Sequence, residues 1–293
     1  MRSGFVAVVG RPNVGKSTLV NALVGEKVSI VTDKPQTTRA RIHGVRTTDE
    51  VQVVFTDTPG FHKPRTLLGR RLNEIVADSV EGVDAVLHVV DAAAGVGRGD
   101  EYVARTQVAG RPGLKVCAVN KIDLVKPDPL IPQLEAASRL ARYDHVVPVS
   151  ARIGRNMDEL VAVLEGAMPE GPLYYPEGDV TDQPVEFRVA EIVREKALQA
   201  TREEVPHSVA VQVEEMERDD DRGLVRIDAV LLVERDSQKG IVIGKGGQML
   251  KRIGTLAREE IQFLLGERVY LDLRVKVQRE WQRDPAALAR LGY

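Results

Sequence analysis

The stretch FVAVVGRPNVGKST, residues 5–18, decides the fold of the first part of the chain. An apolar run, Phe5–Val9, leads into a segment with glycine at positions 10 and 15, and an apolar stretch of helical period follows Ser17. This order predicts a buried strand, a tight loop and then a helix. Such a loop turns successive backbone N–H groups toward one centre at the start of a helix, where negative charge is favoured. The stretch therefore predicts a phosphate-binding loop.

The residue types in this loop fit a nucleotide phosphate with its magnesium ion. We expect the Lys16 ammonium to reach β- and γ-phosphate oxygens, and the Ser17 hydroxyl to ligate Mg²⁺. The other residues expected around the phosphates are Gly10, Arg11, Pro12, Asn13, Val14, Gly15 and Thr18. A glycine-rich turn without a ligand is the alternative, and the order of strand, loop and helix argues against it.

Short apolar runs alternate with amphipathic segments over the first half of the chain. The runs predicted as buried strands are Phe5–Val9, Val51–Phe55, Ala85–Val90, Val116–Val119 and Val146–Val149. The segments 72–83 and 158–167 are predicted as helices. This alternation predicts an α/β fold with a mostly parallel sheet and helices on both faces, whose ligands bind beyond the carboxyl ends of the strands.

Two loops that follow predicted strands complete the phosphate end of the site. Asp57-Thr58-Pro59-Gly60 comes after the second strand; we expect Asp57 to hold Mg²⁺ through water and the Gly60 amide to contact a γ-phosphate. Within Lys34–Arg39, a threonine is expected to complete the metal's ligands. Thr38 is the preferred candidate and Thr37 the second. The metal ligands predicted here are therefore Ser17, Thr38 and Asp57.

Asn120-Lys121-Ile122-Asp123, after the fourth strand, selects the base. The Asp123 carboxylate can accept hydrogen bonds from guanine N1–H and the 2-amino group, and adenine offers neither donor there. A polar mismatch of this kind discriminates by about 10⁴ or more. We expect Lys121 to pack along the base. In Ser150-Ala151-Arg152, after the fifth strand, the Ala151 amide is expected to meet guanine O6. The motifs together predict a GTP-binding domain.

The expected catalytic groups are Lys16, Thr38, Gly60 and Asn13. Many related enzymes carry a water-orienting glutamine directly after the Asp-x-x-Gly segment, whereas Phe61 occupies that position here. A phenyl ring cannot orient water, so we expect slow intrinsic hydrolysis. A carbonyl of Asn13 is a candidate ligand for K⁺, which would supply positive charge beside the phosphates. The alternative is that Asn13 only braces the loop.

The segment from Met168 to Pro184 divides the chain, because its prolines and glycines exclude helix and strand. We predict a nucleotide-binding domain over 1–168, a linker over 169–184 and a second domain over 185–293. The proposed role of the linker is to transmit the nucleotide state. The 293 residues have a net charge of −2, so nucleic-acid binding would need a local basic patch. One cysteine excludes an intramolecular disulfide framework.

Gly244-Lys245-Gly246-Gly247 marks the second domain. Gly-x-x-Gly alone is uninformative, and Gly110–Gly113 also matches it. Only the second match precedes an apolar stripe of helical period, at Met249, Leu250, Ile253, Ala257, Ile261 and Leu264. With the flanking runs 209–213, 225–233 and 269–277, it predicts the helix–strand–strand–helix–helix–strand order of a type II KH domain, an α+β fold. The alternative is a plain helix-entry turn.

A KH domain predicts single-stranded RNA as its ligand, held against the glycine loop with a lysine on phosphate. The residues expected to contact RNA are Ile243, Gly244, Lys245, Gly246, Gly247, Lys251 and Arg252. Trp281 is left open between stacking on a base and packing in the core, while His88 and Cys117 are expected to be core residues. The acidic run 214–221 is expected to form a solvated hairpin or turn.

Nearly the whole chain resembles the Era family of bacterial GTPases, within the TrmE-Era-EngA-like superfamily. The motifs that carry the resemblance are Gly10–Ser17, Gln36–Arg39, Asp57–Gly60, Asn120–Asp123, Ser150–Arg152, Glu234–Lys239 and Ile241–Gly247. It implies binding near the 3′ end of 16S ribosomal RNA during assembly of the 30S subunit, and a hydrophobic residue at the position of Phe61. Arg152 departs from the lysine or leucine of many GTPases.

The function expected is that of a GTP-hydrolysing switch in 30S assembly. Two other functions stay open: an RNA-binding protein whose nucleotide is structural, and a GTPase acting in RNA modification or protein targeting. No apolar run approaches the roughly 18 residues of a membrane span, and Met1–Val9 lacks signal-peptide features. We therefore expect a cytoplasmic protein, with peripheral contact at the inner membrane left open. Nothing demands more than a monomer, and nothing predicts DNA binding.

Overall fold

The chain forms two compact units in the computed structural model, which describes residues 1–60, 64, 66–201 and 205–293. The first unit extends from Met1 to Asp182, apart from the short segments 32–37 and 66–68. Those two segments group with Gln183–Tyr293 in the second unit. Phe61, whose side chain underlies the expectation of slow hydrolysis, lies outside the described residues.

The first part of the chain alternates strands with helices. In chain order the elements are β1 (Arg2–Val9), α1 (Lys16–Val24), β2 (Ile42–Thr47), β3 (Val51–Asp57), α2 (Leu67–Asp78), β4 (Ala85–Asp91), α3 (Arg98–Val103), β5 (Leu114–Asn120), α4 (Pro127–Ser138), β6 (His145–Pro148) and α5 (Met157–Gly166). A π-helical turn, Ala104–Val108, extends α3, and a 3₁₀ turn, Ile122–Leu124, follows β5.

A six-stranded sheet of order β2-β3-β1-β4-β5-β6 forms the centre of this unit. β2 pairs antiparallel with β3, and the other pairs are parallel. The five predicted strands are confirmed, and β2 is an additional strand that the sequence did not reveal. In β1, Val6 and Val8 pack into the core on one face, while Ala7 and Val9 pack on the other. Apolar cores on both faces explain why these strands read as continuous apolar runs.

The helix predicted over 72–83 is observed over Leu67–Asp78, so both predicted ends are wrong. The apolar spacing placed the end of the helix too late, because Leu72, Val76 and Val80 are all buried although the helix ends at Asp78, before Val80. The helix predicted over 158–167 is confirmed within one residue by α5.

Residues 169–182 form neither helix nor strand, yet hydrogen bonds fasten them to the first unit. Gln52, which is fully buried, is the main anchor. Its Oε1 accepts hydrogen bonds from the backbone N–H groups of Tyr174 (2.8 Å) and Tyr175 (3.0 Å), and its Nε2 donates to Tyr175 O (2.9 Å). Farther along, Val45 N donates to Val180 O (2.8 Å).

The second unit comprises α6 (Val185–Ala200), α7 (Val205–Ser208), β7 (Ala210–Asp219), β8 (Leu224–Val233), α8 (Asp236–Ile243), α9 (Gln248–Leu265), β9 (Val269–Val277) and α10 (Pro285–Arg290). Its sheet has the order β7-β8-β9, with β7 and β8 antiparallel and β8 and β9 parallel. Apart from the short α7 and α10, this is the predicted order of a KH domain, which is confirmed.

The apolar stripe of α9 closes the core of the second unit. Ile253, Ala257 and Ile261 are fully buried against the sheet and α6, as predicted from their spacing. Trp281 is also fully buried, and its Nε1 donates to Ser208 O at 3.0 Å, so packing rather than base stacking accounts for it. The acidic run 214–221 lies on β7 and its turn to β8, which confirms the expected hairpin.

The two core residues expected in the first sheet are confirmed. His88 is fully buried on β4, with Nδ1 2.6 Å from the Tyr143 hydroxyl, and burial lowers the pKa of His88 to about 3. Cys117, on the neighbouring β5, is fully buried as well. Within the described part of the chain, no helix has the length and apolar character needed to cross a membrane.

Replacing Gln52 with alanine tests how firmly residues 169–182 are fastened. Gln52→Ala should lower the free energy of unfolding of the first unit by about 2 kcal/mol, because it removes the buried partner of two backbone N–H groups. Chymotrypsin should then cleave faster after Tyr174, whereas Pro176 protects the bond after Tyr175. Urea unfolding and timed digestion measure both effects. Gln248→Ala, at an exposed position, is the control, and equal digestion of both variants would contradict the anchoring role.

Candidate functional site

The predicted phosphate loop, residues 10–15, connects β1 to α1 at the carboxyl end of the central strand. Lys16 is buried, and its Nζ donates to Gly10 O (3.0 Å) and Arg11 O (3.1 Å). Burial lowers the pKa of Lys16 to about 8, although the nearby Asp57 carboxylate acts in the opposite direction. A bound phosphate would stabilise the protonated ammonium here by adding negative charge.

Gly15 brings the loop against the guanine-selecting segment. Its φ is +97°, and a Cβ atom there would lie 2.4 Å from Asn120 Nδ2, so a larger residue is excluded on both counts. Asn120 Nδ2 donates to Val14 O at 3.0 Å. Asn120 Oδ1 accepts from the Ala151 N–H at 3.1 Å. One buried side chain therefore joins three of the predicted motifs.

The three predicted metal ligands lie together. Ser17 Oγ is 3.0 Å from Thr38 Oγ1, and the Thr38 hydroxyl donates to Asp57 Oδ2 at 3.4 Å. Asp57 is fully buried, and its Oδ1 has no hydrogen-bond partner among the described residues. Burial raises the pKa of Asp57, while a hydrogen bond from Ser17 and the charge of Lys16 counteract that effect. Hydroxyl and carboxylate oxygens of this kind fit Mg²⁺.

The second threonine candidate points elsewhere. Thr37 Oγ1 lies 2.6 Å from Thr32 Oγ1 and donates to Lys34 O at 2.7 Å. Its hydroxyl is thus used within its own loop, and the geometry favours Thr38 as the ligand. The metal-binding role of Thr38 stays a prediction.

The guanine-selecting residues are held by their neighbours. Asp123 Oδ1 accepts from the buried Ser150 hydroxyl at 2.6 Å, which orients the carboxylate. The Ala151 N–H, expected to meet guanine O6, donates to Asn120 here. Its contact with the base stays a prediction, and so does any role of the exposed Arg152.

Lys121 has two partners that the sequence did not reveal. Its Nζ donates to the backbone O of Asn13 (2.6 Å) and to Asp91 Oδ2 (2.6 Å), while its own backbone is left-handed, with φ of 66°. The paired Asp91 lies at the end of β4 and belongs to none of the motifs. The sequence did carry a signal for Asp91, because a carboxylate directly after an apolar strand stands where ligand-binding residues of parallel sheets occur.

The segment Asp57–Gly60 contacts the phosphate loop directly. The Thr58 hydroxyl, which is buried, donates to Val8 O at 2.7 Å. A Cβ atom at Gly60 would lie 2.8 Å from Pro12 Cα, so the two backbones touch at this point. Pro59 lies between these two contacts in the chain. The segment is therefore in direct backbone contact with the phosphate loop at Gly60.

In the second unit, the glycine loop 244–247 connects α8 to α9. Gly244, Gly246 and Gly247 all have positive φ values, of 71°, 60° and 78°, which favour glycine. Lys245 is exposed at the tip, whereas Ile243 packs against the core. The basic residues predicted on the exposed face of this helix, Lys251 and Arg252, are exposed on α9.

Gln238 fixes the start of α8 and thus the entry to this loop. Its Oε1 accepts from the N–H groups of Glu234 (3.0 Å) and Arg235 (3.0 Å), and its Nε2 donates to Ser208 Oγ (3.0 Å). The side chain is buried. It accounts for part of the motif 234–239, for which sequence reasoning had assigned no role.

Fold and site define the class of the protein: a P-loop GTPase domain followed by a KH domain. Residues 5–121 match the family described as "50S ribosome-binding GTPase", and residues 204–282 match the family described as "KH domain". GTPase Era of Mycolicibacterium smegmatis is 50% identical over 295 residues, which cover 100% of this chain and 99% of that protein. GTPase Era of Mycobacterium tuberculosis (strain ATCC 25177 / H37Ra) is 50% identical over 298 residues, covering 99% and 98%.

Two solved structures agree over the full length. Era in complex with MgGDPNP and nucleotides 1506–1542 of 16S ribosomal RNA superposes with a TM-score of 0.96 at 41% identity, covering 100% of this chain and 99% of that chain. A variant of Aquifex aeolicus Era bound to GDP and AlF₄⁻ also superposes with a TM-score of 0.96 at 41% identity, covering 100% of this chain and 99% of that chain. The chain belongs to the GTPase Era family, and it hydrolyses GTP.

Exchanging the carboxylate of Asp123 for an amide should change the base that the protein accepts. In Asp123→Asn, one acceptor becomes a donor, which mismatches the 2-amino group of guanine and matches the 2-carbonyl of xanthine. Affinity for GDP should fall by about 10⁴ or more, and XDP should bind in its place. Competition titrations with a fluorescent nucleotide measure both. Asp128→Asn, exposed on α4, is the matched control, and a variant that still prefers GDP would refute the assignment.

Proposed function

We propose that this GTPase binds single-stranded RNA near the 3′ end of 16S ribosomal RNA and promotes assembly of the 30S subunit. The observation that carries the proposal is the full-length similarity to Era solved with MgGDPNP and nucleotides 1506–1542 of that RNA. The proposal places the protein on the 30S subunit in the cytoplasm, acting as a monomer. It needs no membrane contact and no DNA.

The glycine loop of the second unit supports the RNA part of the proposal. Exposed backbone at Gly246 lets a nucleotide strand approach closely, and Lys245 beside it offers a charge for phosphate. Lys251 and Arg252 extend the positive charge onto α9. Ile243 supplies an apolar contact at the loop's entry. Since the whole chain carries a net charge of −2, this local patch has to provide the attraction.

The residues of the first unit support the part of the proposal that concerns a switch between GTP-bound and GDP-bound states. Ser17 and Thr38 would hold Mg²⁺ directly and Asp57 would hold it through water; when bound, the ion neutralises charge on the β- and γ-phosphates. Lys16 supplies a fixed positive charge to the same oxygens, and the Gly60 N–H contacts the γ-phosphate. After hydrolysis Thr38 and Gly60 lose that partner, so both loops relax. Residues 169–184 would pass this change along the chain.

RNA affinity in two nucleotide states tests the proposal. A fluorescent RNA copied from the 3′ end of 16S ribosomal RNA should bind more tightly with a non-hydrolysable GTP analogue than with GDP. Equal, tight binding in both states would support this RNA as the ligand but refute a switch of RNA affinity by the bound nucleotide. Absence of binding in both states would favour a GTPase whose second domain is a protein adaptor in RNA modification or targeting.

Two glycine-to-aspartate variants sharpen this test. Gly246→Asp places a negative charge in the proposed RNA loop and should lower RNA affinity at least tenfold. Gly110→Asp changes the other Gly-x-x-Gly match. It is a matched control, because both glycines have positive φ (60° and 73°) and no atom within 4 Å of an added Cβ. GTP hydrolysis should be unchanged in both, and equal RNA binding would count against the glycine loop.

We propose K⁺ as a second cation, held by Asn13. The backbone carbonyl of Asn13 accepts from Lys121, so the proposal rests on the side-chain carbonyl. The ion would place positive charge near the transferring phosphoryl group.

Hydrolysis measured in equimolar KCl and NaCl should therefore be several-fold faster in KCl, and Asn13→Ala should abolish the difference. An equal rate in both salts would disprove the role of K⁺. Mg²⁺ is kept constant throughout.

A further inference from the structure

The segment from the end of β4 to the first turn of α3, residues 91–100, carries no nucleotide motif, yet two ion pairs connect it to the phosphate loop, one of them through Lys121. Asp91 at its start pairs with Lys121 (2.6 Å), and the same ammonium holds the carbonyl of Asn13 (2.6 Å). Asp100 at its end pairs with Arg11 (3.0 Å). The second pair contains a residue of the loop itself.

Two hydrogen bonds anchor the Arg11 side chain to this segment. Its Nε donates to Asp100 Oδ1 (3.0 Å) and its Nη2 donates to Gly95 O (2.8 Å). The Arg11 side chain also passes beside Gly99, where an added Cβ atom would lie in ordinary van der Waals contact, 3.4 Å from Arg11 Cδ. A guanidinium fixed by two acceptors has little freedom, so the backbone at position 11 is held as well.

Asp100 is built into the segment rather than lying on its surface. It is fully buried, and its Oδ2 accepts from the Gly97 N–H (2.9 Å), while Oδ1 takes Arg11. Burial raises the pKa of Asp100, and the Gly97 N–H and the Arg11 charge oppose that rise. The turn before it is closed by Asp91, whose Oδ1 accepts from Ala93 N (2.9 Å) and Ala94 N (3.0 Å). Arg11 therefore binds to a carboxylate that is itself held by burial and by the Gly97 N–H.

The backbone that Arg11 positions touches the reacting groups. The Arg11 carbonyl accepts from Lys16 Nζ (3.1 Å). The next residue, Pro12, lies against Gly60, since a Cβ atom on that glycine would fall 2.8 Å from Pro12 Cα. A shift at position 11 would thus displace the Lys16 charge and the Gly60 N–H together.

We propose that Arg11 and Asp100 form a positioning pair for GTP hydrolysis. The Arg11 guanidinium is used in this contact, so only the backbone of position 11 would lie beside the phosphates. The pair holds residues 11–12 in the place where Lys16 and Gly60 meet the γ-phosphate. Binding of GDP uses the contact of Lys16 with the β-phosphate, but it also uses Ser17, Asn120 and Asp123, which the pair does not contact. Breaking the pair should therefore slow hydrolysis more than it weakens GDP binding.

The test compares two conservative variants with a neighbour on the same helix. Asp100→Asn keeps the shape and removes the charge, and Arg11→Lys keeps the charge but reaches only one of the two acceptors. Each should lower single-turnover hydrolysis between about tenfold and a hundredfold, while GDP affinity changes less than threefold. Glu101→Gln, exposed on α3, should change neither quantity. The assays contain no RNA, so their outcome is independent of the proposed RNA target.

A double-mutant cycle and the melting temperature separate positioning from stability. Arg11→Lys combined with Asp100→Asn should be no slower than the slower single variant, because both act through one contact. Parallel losses of hydrolysis, GDP affinity and melting temperature would overturn the proposal in favour of a purely structural pair. Unchanged hydrolysis, or independent effects that multiply, would overturn it as well. If Asp100→Asn does not fold, the Arg11→Lys variant alone tests the proposal. Its hydrolysis rate should then fall by a larger factor than its affinity for GDP.

Discussion

The site depends first on the side-chain amide of Asn120. It donates to the phosphate loop and accepts from the segment after β6, so the phosphate and base ends of the nucleotide site share one fixed group. The residue is buried, which leaves both hydrogen bonds without competition from water. Gly15 is the steric counterpart, because only a residue without Cβ lets the loop approach this amide. Lys16 directly follows the loop that Asn120 holds, and Asp123 follows Asn120 itself in the chain.

The sequence predicted best those features that depend on residues close together in the chain. The phosphate loop, the buried strands and the stripe of α9 each follow from residues close together in the chain, and all are confirmed. β2 was missed because a partly buried edge strand with a central glycine, IHGVRT, lacks the apolar run of its neighbours. The end of α2 was wrong because apolar spacing continues beyond the helix.

The unpredicted parts of the site depend on partners that are distant in sequence. Asp100 meets Arg11 across 89 residues, and Gln52 meets Tyr174 across 122. A lone aspartate or glutamine carries no pattern, so its role becomes visible only when folding brings its partner close. Choosing between Thr37 and Thr38 likewise required knowing where each hydroxyl points. Motifs thus identify the atoms that meet the ligand, whereas the groups that hold those atoms in place emerge from the fold.

The attachment of residues 169–182 has a practical consequence for dividing the protein. A fragment that ended at Met168 would strip Gln52 of its backbone partners and leave the edge of β2 at Val45 open. Exposed strand edges pair with other chains, so such a fragment would tend to self-associate. Ending at Asp182 keeps those hydrogen bonds within one polypeptide. A cut chosen from the proline-rich composition alone would therefore remove hydrogen bonds that belong to the first unit.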